Sequence, residues 1–422
     1  MSVRPLGVAF VNLGCRVNRV ELDSMAESLE DLGCVMCDES EASAIVVNTC
    51  AVTGEAQTKA RKAVRHAALL PQRPLVVATG CVASLFSGDL SRIASNVVVE
   101  TDKGRVAQVV AEGLRLDGEG ATGTLAVPVT PTPTGRTRPG VKIQDGCDNR
   151  CTYCIVWKAR GPSRSVDPDV VVKEVRAAMA RGAHEVVLTG INLGGYRAHA
   201  DKRELRLHDL LDRILGETDV ERLRISSIEP PDVTGDLLRV MAASDGRIAP
   251  FLHVCLQSGC DETLRRMGRV YRGDLYRRAT DAAREALPEV ALGTDIIVGF
   301  PGETDDEFAR SLAFCAETGF ARMHVFRYSR RPGTIAATAA GQVDPHVMAA
   351  RSREMRGLAR RMRYAEAMRL VGTDQFVVVQ YPGRGVSGGL FDVLVDPCVP
   401  VDSLIRVHVS AVRDDGTLVG RA

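Results

Sequence analysis

The chain has 422 residues, 45% of them hydrophobic and 25% charged, which is ordinary for a globular protein with room for two or three domains. A formal net charge of +1 excludes a strong overall positive field, so any nucleic-acid surface must be local. No stretch approaches the ~18 apolar residues of a membrane helix, and the first residues lack the pattern of a secretory signal, so we predict a cytoplasmic protein without a membrane partner.

The first hundred residues predict an α/β domain with a small doubly wound parallel sheet, which we assign to residues 1–116. Four short, nearly continuous apolar runs are typical of parallel strands buried on both faces. They are Val8–Leu13, Ala44–Asn48, Leu75–Ala78 and Asn96–Val99. Helical patterns lie between them at Glu21–Leu32 and Glu55–Leu70.

Residues 117–140 are rich in Gly, Thr and Pro and predict a linker. Beyond them, over residues 141–371, six candidate strands alternate with helical or mixed segments and predict a partial or full parallel β/α barrel. The strands are Val141–Gln144, Glu185–Thr189, Arg222–Ser226, Phe251–Leu256, Ala291–Val298 and Arg322–Phe326. Thr304 and Glu307 are spaced as a capping box, and Gly319 is placed to end that helix.

The end of the chain combines a basic helix with a small β domain. Residues 351–370 carry seven Arg and two Glu, a local charge of +5. Residues 372–422 hold short β-type runs with Gly and Pro turns, typical of a small antiparallel barrel. Their six Asp and four Arg give a local charge of −2, which does not favour phosphate binding.

Twelve cysteines are many for a reducing compartment, where they indicate metal or redox chemistry more than disulfides. Cys147, Cys151 and Cys154 form a C-x-x-x-C-x-x-C pattern in the loop after the first barrel strand. Three such thiolates can hold a 4Fe–4S cluster and leave one iron open for another ligand. The alternative is a structural zinc site, although zinc prefers four ligands at two-residue spacings.

A second set of three cysteines is dispersed, because Cys15, Cys50 and Cys81 each directly follow one of the first three strands. The carboxyl ends of parallel strands lie along one edge, ~4.8 Å apart, where α/β sheets bind ligands. The three thiols can therefore converge on a second cluster with an open iron. The alternative is three small buried apolar side chains, as cysteine often is.

Over nearly its whole length the chain resembles the methylthiotransferase family of radical S-adenosylmethionine (SAM) enzymes. The aromatic Tyr153, just before the last cysteine of the compact triad, is part of this resemblance. Four segments are similar to the branch that acts on N6-threonylcarbamoyladenosine in tRNA. They are LGCRVNRVE at Leu13–Glu21, NTCAVTGEA at Asn48–Ala56, QDGCDNRCTYCIVWKARG at Gln144–Gly161 and ISSIEP at Ile225–Pro230.

The resemblance implies two 4Fe–4S clusters, one on Cys147, Cys151 and Cys154 that binds SAM, and an auxiliary one on Cys15, Cys50 and Cys81. It further implies that a 5′-deoxyadenosyl radical abstracts hydrogen from C2 of the adenine ring. Sulfur from the auxiliary cluster is inserted there, and a second SAM supplies the methyl group. Partners implied are tRNA and an electron donor of the flavodoxin or ferredoxin type. The small C-terminal barrel would correspond to the family's TRAM domain.

SAM contacts are implied at the ends of the barrel strands, where a zwitterion can find donors and acceptors. The residues are Thr189, Gly190, Asn192, Ser227, Glu229, Gln257 and Gly299, the last within the segment TDIIVGFPGET at Thr294–Thr304. The resemblance names no catalytic residue beyond the cluster ligands. His253 and His324 are interpreted as packing or hydrogen-bonding residues of the barrel rather than as ligands.

The chain departs from the family pattern at Trp157 and Lys158, which replace a Pro-aromatic pair, and at Cys255, where proline is usual. Three alternatives stay open. A sister methylthiotransferase would act on isopentenyladenosine in tRNA or on a ribosomal protein. A non-catalytic iron–sulfur protein would more often saturate its clusters with four ligands. A cobalamin-dependent radical enzyme would be expected to carry a D-x-H-x-x-G motif, which this sequence lacks.

Overall fold

The computed structural model describes residues 6–114, 135–200 and 203–421. The chain divides into two compact units, Met1–Arg136 with Cys154–Pro162 and Thr137–Tyr153 with Ser163–Ala422. Most of the predicted linker, residues 117–134, lies outside the described residues. No helix in the described part of the chain has the length and apolar character needed to cross a membrane.

The first unit contains a five-stranded parallel sheet with the strand order β2-β1-β3-β4-β5. The strands are β1 (Gly7–Asn12), β2 (Val35–Met36), β3 (Ala44–Thr49), β4 (Leu75–Gly80) and β5 (Val97–Val99). All four predicted apolar runs form strands of this sheet. The two-residue strand β2 is too short to give a periodic signal in the sequence.

Helices pack against both faces of this sheet. They are α1 (Arg16–Asp31), α2 (Gly54–Ala68), α3 (Cys81–Leu85), α4 (Ser87–Ser91), α5 (Val106–Leu114) and α6 (Val156–Arg160), with a 3-10 turn at Lys103–Arg105. Along β3, Ile45 and Val47 belong to one core, and Ala44 and Val46 to another. This burial on both faces is why the strands read as continuous apolar runs.

The second unit begins with an arc of parallel strands and several short accessory strands. The strands are β6 (Gly140–Lys142), β7 (Gln144–Asp145), β8 (Arg164–Ser165), β9 (Glu185–Thr189), β10 (Ala198–Ala200), β11 (Arg203–Leu205), β12 (Arg222–Ile225), β13 (Ser227–Ile228), β14 (Phe251–Val254), β15 (Ala291–Val298) and β16 (Arg322–Arg327). The order is β6-β9-β12 and β13-β14-β15-β16, and a bridge from Leu223 to Ile248 joins the two runs. Within the described residues no pairing joins β16 to β6, so the barrel is partial.

The helices of the second unit connect these strands and end in one long basic helix. They are α7 (Pro168–Ala180), α8 (Leu207–Glu217), α9 (Gly235–Ala243), α10 (Asp261–Arg266), α11 (Gly273–Ala286), α12 (Asp305–Thr318), α13 (Ile335–Thr338) and α14 (Pro345–Met368). Short 3-10 turns lie at Leu193–Gly195 and Pro230–Asp232. The capping box of Thr304 and Glu307 starts α12, and Gly319, with a φ of 69°, ends it, as predicted.

The chain closes with the predicted small barrel, in the order β17-β18-β19-β21-β20. Its strands are β17 (Asp374–Tyr381), β18 (Arg384–Ser387), β19 (Asp392–Leu394), β20 (Leu404–Val412) and β21 (Leu418–Arg421). The pairings are antiparallel except that β19 pairs with β21 in parallel. This small barrel shares a core with Phe251 and Ala291, the first residues of β14 and β15, and so covers the amino end of the larger one.

Candidate active site

In the first unit, the three dispersed cysteines meet at the carboxyl edge of the sheet. Cys15 caps α1 directly after the loop from β1, Cys50 follows β3, and Cys81 is the first residue of α3 after β4. The thiol of Cys50 interacts electrostatically with both Cys15 and Cys81, and Cys15 also with Cys81. The three thiols therefore lie near one another at this sheet edge, and their role as ligands of one cluster stays a prediction.

The chemistry of this donor set fits a metal cluster. Burial raises the pKa of Cys50 to about 11, and burial raises the pKa of Cys15 despite the opposing charge of Arg160. Such thiols hold their protons near neutral pH, and a bound metal cation is what converts them to thiolate ligands. Three soft sulfur donors at one sheet edge suit iron–sulfur ligation.

An amide network fixes the loops that carry these cysteines. Asn18 Nδ2 donates to Asn48 Oδ1 at 3.1 Å and to the carbonyl of Thr49 at 2.8 Å, and Asn48 Nδ2 donates back to the Asn18 carbonyl at 2.6 Å. The Cys15 thiol lies 3.4 Å from Asn18 Oδ1. A Cβ on Gly80, whose φ is 89°, would lie 2.4 Å from Asn48 Oδ1, so this approach requires glycine.

A buried ion pair connects helix α6 to the same network. Arg160, in α6, donates to Glu21 Oε1 at 2.8 Å and to Asn18 Oδ1 at 2.7 Å, and Lys103 Nζ lies 2.6 Å from Glu21 Oε2. Both Arg160 and Glu21 are buried. Asn18 and Glu21 of the motif LGCRVNRVE therefore fix the orientation of α1, the helix that begins after Cys15.

The compact triad lies where the two units of the chain meet in sequence. Cys147 and Cys151 belong to the second unit, and Cys154 belongs to the first. Burial raises the pKa of Cys147, with Glu229 and Cys151 adding negative charge. In the first unit the Cys154 sulfur accepts a hydrogen bond from the backbone N–H of Val156 at 3.4 Å.

Three of the predicted SAM contacts stand at the end of β9. Thr189 is its buried last residue, and the turn after it is held by Gln144 Oε1, which accepts from the N–H of Ile191 at 3.0 Å and of Asn192 at 2.8 Å. A Cβ on Gly190 would lie 2.9 Å from the same oxygen. Asn192 Oδ1 is buried and has no hydrogen-bond partner within residues 6–114, 135–200 and 203–421. An unmet buried acceptor suits an ammonium group.

Ser227 and Glu229 follow β12, the next strand. Ser227 lies on β13 and is half-buried. Glu229 Oε1 accepts from Asn149 Nδ2 at 3.0 Å and from Arg269 Nη2 at 2.7 Å, so this carboxylate is tied to the loop of the compact triad. Arg269 also donates from Nη1 to Cys151 Sγ at 3.1 Å.

Gln257 and Gly299 follow β14 and β15, and both have positive φ, 69° and 73°. The Gln257 N–H donates to the Asp295 carbonyl at 2.8 Å, and the Gly299 N–H donates to Glu303 Oε2 at 2.6 Å. A Cβ on Gly299 would lie 2.1 Å from Met348 Cγ. All seven predicted SAM contacts thus lie at the carboxyl ends of neighbouring barrel strands, while their role in binding SAM stays a prediction.

Two residues of this site had no role in the sequence interpretation. Gln144 donates from Nε2 to the Gly146 carbonyl at 2.8 Å and to Ser163 Oγ at 2.9 Å, and so ties the triad loop to the end of β9. Its position at the end of the predicted strand Val141–Gln144 was a usable signal, although the structure ends that strand at Lys142 and begins β7 at Gln144. Arg269 follows a short helix and has no periodic or motif signal, so only the folded structure reveals its hydrogen bond to Cys151.

Comparisons with known proteins agree with this geometry. The model of the radical SAM superfamily matches residues 141–315, and that of the uncharacterized protein family UPF0004 matches residues 7–100. The structure of the radical SAM methyltransferase TsrM from Kitasatospora setae, with tryptophan and a SAM analogue, covers 78% of this chain and 75% of its own. Its TM-score is 0.56 at 18% identity, a likeness of fold alone.

Three relatives span most of both sequences. A threonylcarbamoyladenosine tRNA methylthiotransferase from Thermotoga maritima is 33% identical over 98% of this chain and 97% of its own. A ribosomal protein uS12 methylthiotransferase from Desulforudis audaxviator is 34% identical over 89% and 87%. A tRNA-2-methylthio-N(6)-dimethylallyladenosine synthase from Acidothermus cellulolyticus is 35% identical over 90% and 79%. The chain belongs to the methylthiotransferase family of radical SAM enzymes.

Proposed function

We propose that this enzyme is a tRNA methylthiotransferase that adds a methylthio group to C2 of N6-threonylcarbamoyladenosine next to the anticodon. The observation that carries the proposal is the identity to the Thermotoga maritima enzyme over 98% of the chain, which includes both cysteine sets. The proximity of Cys15, Cys50 and Cys81 supports it, because the proposed sulfur insertion requires a second cluster as the source of the sulfur.

The two cysteine sets divide the work. Cys147, Cys151 and Cys154 would hold the cluster that binds SAM, and Cys15, Cys50 and Cys81 the auxiliary cluster. When bound, these groups supply the electron that cleaves SAM and the sulfur that is transferred. Gln144 holds the turn after β9 in place, and the unmet oxygen of Asn192 would accept from the SAM ammonium group.

The substrate proposed is a nucleotide of tRNA, which needs cations on the protein surface. Helix α14 supplies Arg353, Arg360 and Arg361, and Arg369 follows its last turn; all four are exposed. An electron donor of the flavodoxin or ferredoxin type would complete the reaction, and a tRNA substrate is consistent with a cytoplasmic protein. These partners rest on the proposed function.

The test is mass spectrometry of tRNA nucleosides from a strain that lacks the gene. We expect the methylthio form of N6-threonylcarbamoyladenosine to disappear and its unmodified precursor to accumulate. The anaerobically reconstituted protein should restore the product on the deletion strain's tRNA when given SAM and a reductant. Loss of a different methylthio nucleoside, with this one unchanged, would contradict the proposal.

The second candidate substrate is isopentenyladenosine in tRNA. The observation that favours it is the 35% identity to the Acidothermus cellulolyticus synthase, whose name gives the same nucleoside as N6-dimethylallyladenosine. The same nucleoside profile separates the two, because each predicts the loss of a different methylthio product.

A further inference from the structure

Three strands of the partial barrel carry a polar cluster on their inner face. The alternate residues Leu252, Leu292 and Val325 pack into the outer core between strands and helices. Their neighbours in sequence therefore face the interior of the barrel. We name as the lumen cluster His253 of β14, Asp295 of β15, and Arg322 and His324 of β16.

The lumen cluster is joined by hydrogen bonds around one carboxylate. Asp295 Oδ1 lies 3.2 Å from His253 Nε2 and 3.0 Å from His324 Nδ1. The Nε–H of Arg322 donates to His324 Nε2 at 3.2 Å. Because an arginine nitrogen only donates, His324 Nε2 must accept, and the proton of this imidazole is on Nδ1, directed at Asp295.

This proton arrangement disfavours a metal ion, although the three ligand atoms of His253, Asp295 and His324 lie within 4.8 Å of one another. A metal on His324 Nδ1 would move the ring proton to Nε2, where it would face the N–H of Arg322. The cluster therefore suits hydrogen bonding to polar organic groups better than it suits metal binding. Both imidazoles hold the pKa of Asp295 below its usual range even though burial alone would raise it, so the carboxylate stays anionic.

Several polar atoms of the lumen cluster are left for such a ligand. In the described part of the chain the terminal nitrogens of Arg322 have no hydrogen-bond partner, and Asp295 Oδ2 has only the Cys255 sulfur at 3.9 Å. Side-chain exposure rises from 11% at His253 through 25% at Asp295 to 45% at His324. The cluster thus opens toward β16, the edge strand of the arc, where Phe326 is also exposed.

These groups match one kind of substituent on a base. A guanidinium with free N–H groups binds a carboxylate, and a carboxylate oxygen accepts from an amide N–H. A threonylcarbamoyl group offers both a carboxylate and amide N–H groups. An isopentenyl group offers neither and would leave Arg322 and Asp295 without partners in a partly dry site.

We propose that Arg322 and Asp295 form the subsite for the N6 substituent of the adenosine and select its carboxylate-bearing threonylcarbamoyl form. The inference rests on the proposed function and deepens it. Arg322 binds the carboxylate, and Asp295 Oδ2 accepts from the carbamoyl N–H. His253 and His324 are positioning residues, since they hold Asp295 and face the substrate only at their exposed edges.

The experiment compares three anticodon stem-loops with the reconstituted enzyme. They carry threonylcarbamoyladenosine, its threoninamide analogue, in which the carboxylate is a neutral amide, and isopentenyladenosine. For the wild type we expect kcat/KM for methylthiolation to fall on the order of 100-fold when the carboxylate is removed. In the Arg322→Gln variant the ratio of kcat/KM between threonylcarbamoyladenosine and its threoninamide analogue should be below about tenfold, chiefly because KM changes. Arg322→Lys should restore part of this ratio because the positive charge returns.

A matched control and two independent readouts separate specificity from folding. Arg327→Gln removes an exposed cation from the outer face of the same strand and should leave the ratio unchanged. Iron content and SAM cleavage without RNA should be the same in all variants, and stem-loop affinity should follow the KM changes.

The possible results distinguish a failure of this inference from a failure of the proposed function. A wild type that prefers threonylcarbamoyladenosine, with an Arg322→Gln variant of unchanged substrate ratio, would overturn this inference and leave the proposed function standing. A wild type that prefers isopentenyladenosine, or modifies none of the three, would overturn both.

Discussion

Arg269 donates a hydrogen bond from its guanidinium Nη1 to the sulfur of Cys151 at 3.1 Å. The same side chain is buried and bonds Glu229 Oε1 at 2.7 Å through Nη2. One buried cation therefore balances a predicted cluster thiolate and a carboxylate at the strand ends where SAM is expected.

Replacement of Arg269 should damage the compact-triad site more than the fold elsewhere. Arg269→Gln leaves Glu229 and the Cys151 thiolate without their cation, a change that commonly costs about 3–5 kcal/mol for a buried pair. We expect SAM cleavage to fall at least tenfold while the auxiliary cluster is retained. The control is Arg265→Gln in α10, an exposed position that should behave as wild type. Normal cleavage by the Arg269→Gln protein would contradict the assignment.

Iron content tests the two cysteine sets directly. The anaerobically reconstituted chain should hold about eight iron atoms, four for each cluster. Replacement of Cys147, Cys151 and Cys154 by Ala should leave about half, and so should replacement of Cys15, Cys50 and Cys81. Iron content that does not change with the second set would remove the auxiliary cluster from the proposal. Cys398→Ala, at an exposed position, is the control.

The two sets should differ in what they do. Cys151→Ala should abolish formation of 5′-deoxyadenosine, because one of the ligands of the SAM-binding cluster is gone. Cys50→Ala should spare that cleavage and still yield no methylthio nucleoside. High-performance chromatography of the nucleosides measures both. Identical behaviour of the two variants would refute this division of labour.

Local sequence signals predicted the strands and helix caps around the site better than the hydrogen bonds between its side chains. The runs before Cys15, Cys50 and Cys81 form strands because each is buried on two faces, and their ends then converge by the geometry of a parallel sheet. The capping box at Thr304 was also readable, since it depends on residues three apart. The hydrogen bond from Arg269 to Cys151 joins residues 118 positions apart, and no periodic pattern encodes such a pair.

The lumen cluster shows the same limit in a second way. The sequence interpretation treated His253 and His324 as packing or hydrogen-bonding residues, and the structure records their bonds to Asp295. What the sequence could not supply is the register that sets Asp295 opposite His324 on adjacent strands. That register is fixed by packing on both faces of β15, which is a property of the assembled barrel.

A buried ion network should make the stability of the second unit depend on pH. Glu185 is fully buried, and its Oε1 and Oε2 accept from Arg224 and Arg222, each at 2.6 Å. Burial would raise the pKa of Glu185, but the charges of Arg224, Arg222 and Arg138 outweigh it and hold that pKa well below its usual range. The carboxylate therefore stabilises the fold above its unfolded pKa of about 4.3, and this contribution is lost as pH falls toward the folded value.

The variant that tests this network is Glu185→Gln, which leaves two buried guanidinium groups without a counterion. We expect it to lower the free energy of unfolding by about 3–5 kcal/mol at pH 7, as seen when one partner of a buried pair is removed. The difference from wild type should shrink below about pH 4, because there the carboxyl of the unfolded wild type takes up a proton that the folded state does not bind. Thermal unfolding across pH measures it, with exposed Glu289→Gln as the control. A difference that stays constant from pH 7 to pH 3 would contradict the role of the charge.

The structure also narrows the set of arginines that we expect to bind tRNA phosphates. Seven arginines lie along helix α14 and just after it. Arg351 is buried against Glu303 and Asp305. Arg356 and Arg363 donate to backbone carbonyls of the same unit. The exposed remainder is Arg353, Arg360, Arg361 and Arg369, of which Arg369 pairs with Glu366. The other three can therefore meet phosphates without breaking an ion pair described in the structure.

Deletion of residues 372–422 is a poor test of the acidic C-terminal barrel. Arg222 and Arg224 donate to the carbonyls of Phe376 and Gly388 at 2.8 and 2.7 Å, and Phe251 packs into the same core. Removal of the barrel would expose that core and leave buried cations without partners. Point substitution of its exposed aromatic residues is the cleaner comparison.

Two variants therefore test which surface binds tRNA. The triple substitution Arg353, Arg360 and Arg361→Gln should reduce the slope of log affinity against log salt by ~0.7 to 0.9 for each arginine that binds a phosphate in the wild type. The double substitution Phe376 and Tyr381→Ala removes side chains that are 55% and 68% exposed and could stack on bases. Because the barrel's net charge is −2, we expect the double variant to bind tRNA more tightly than the triple variant and to keep the wild-type salt slope. Binding across a salt series measures both effects, and a double variant with the weaker binding would assign tRNA recognition to the barrel instead of the helix.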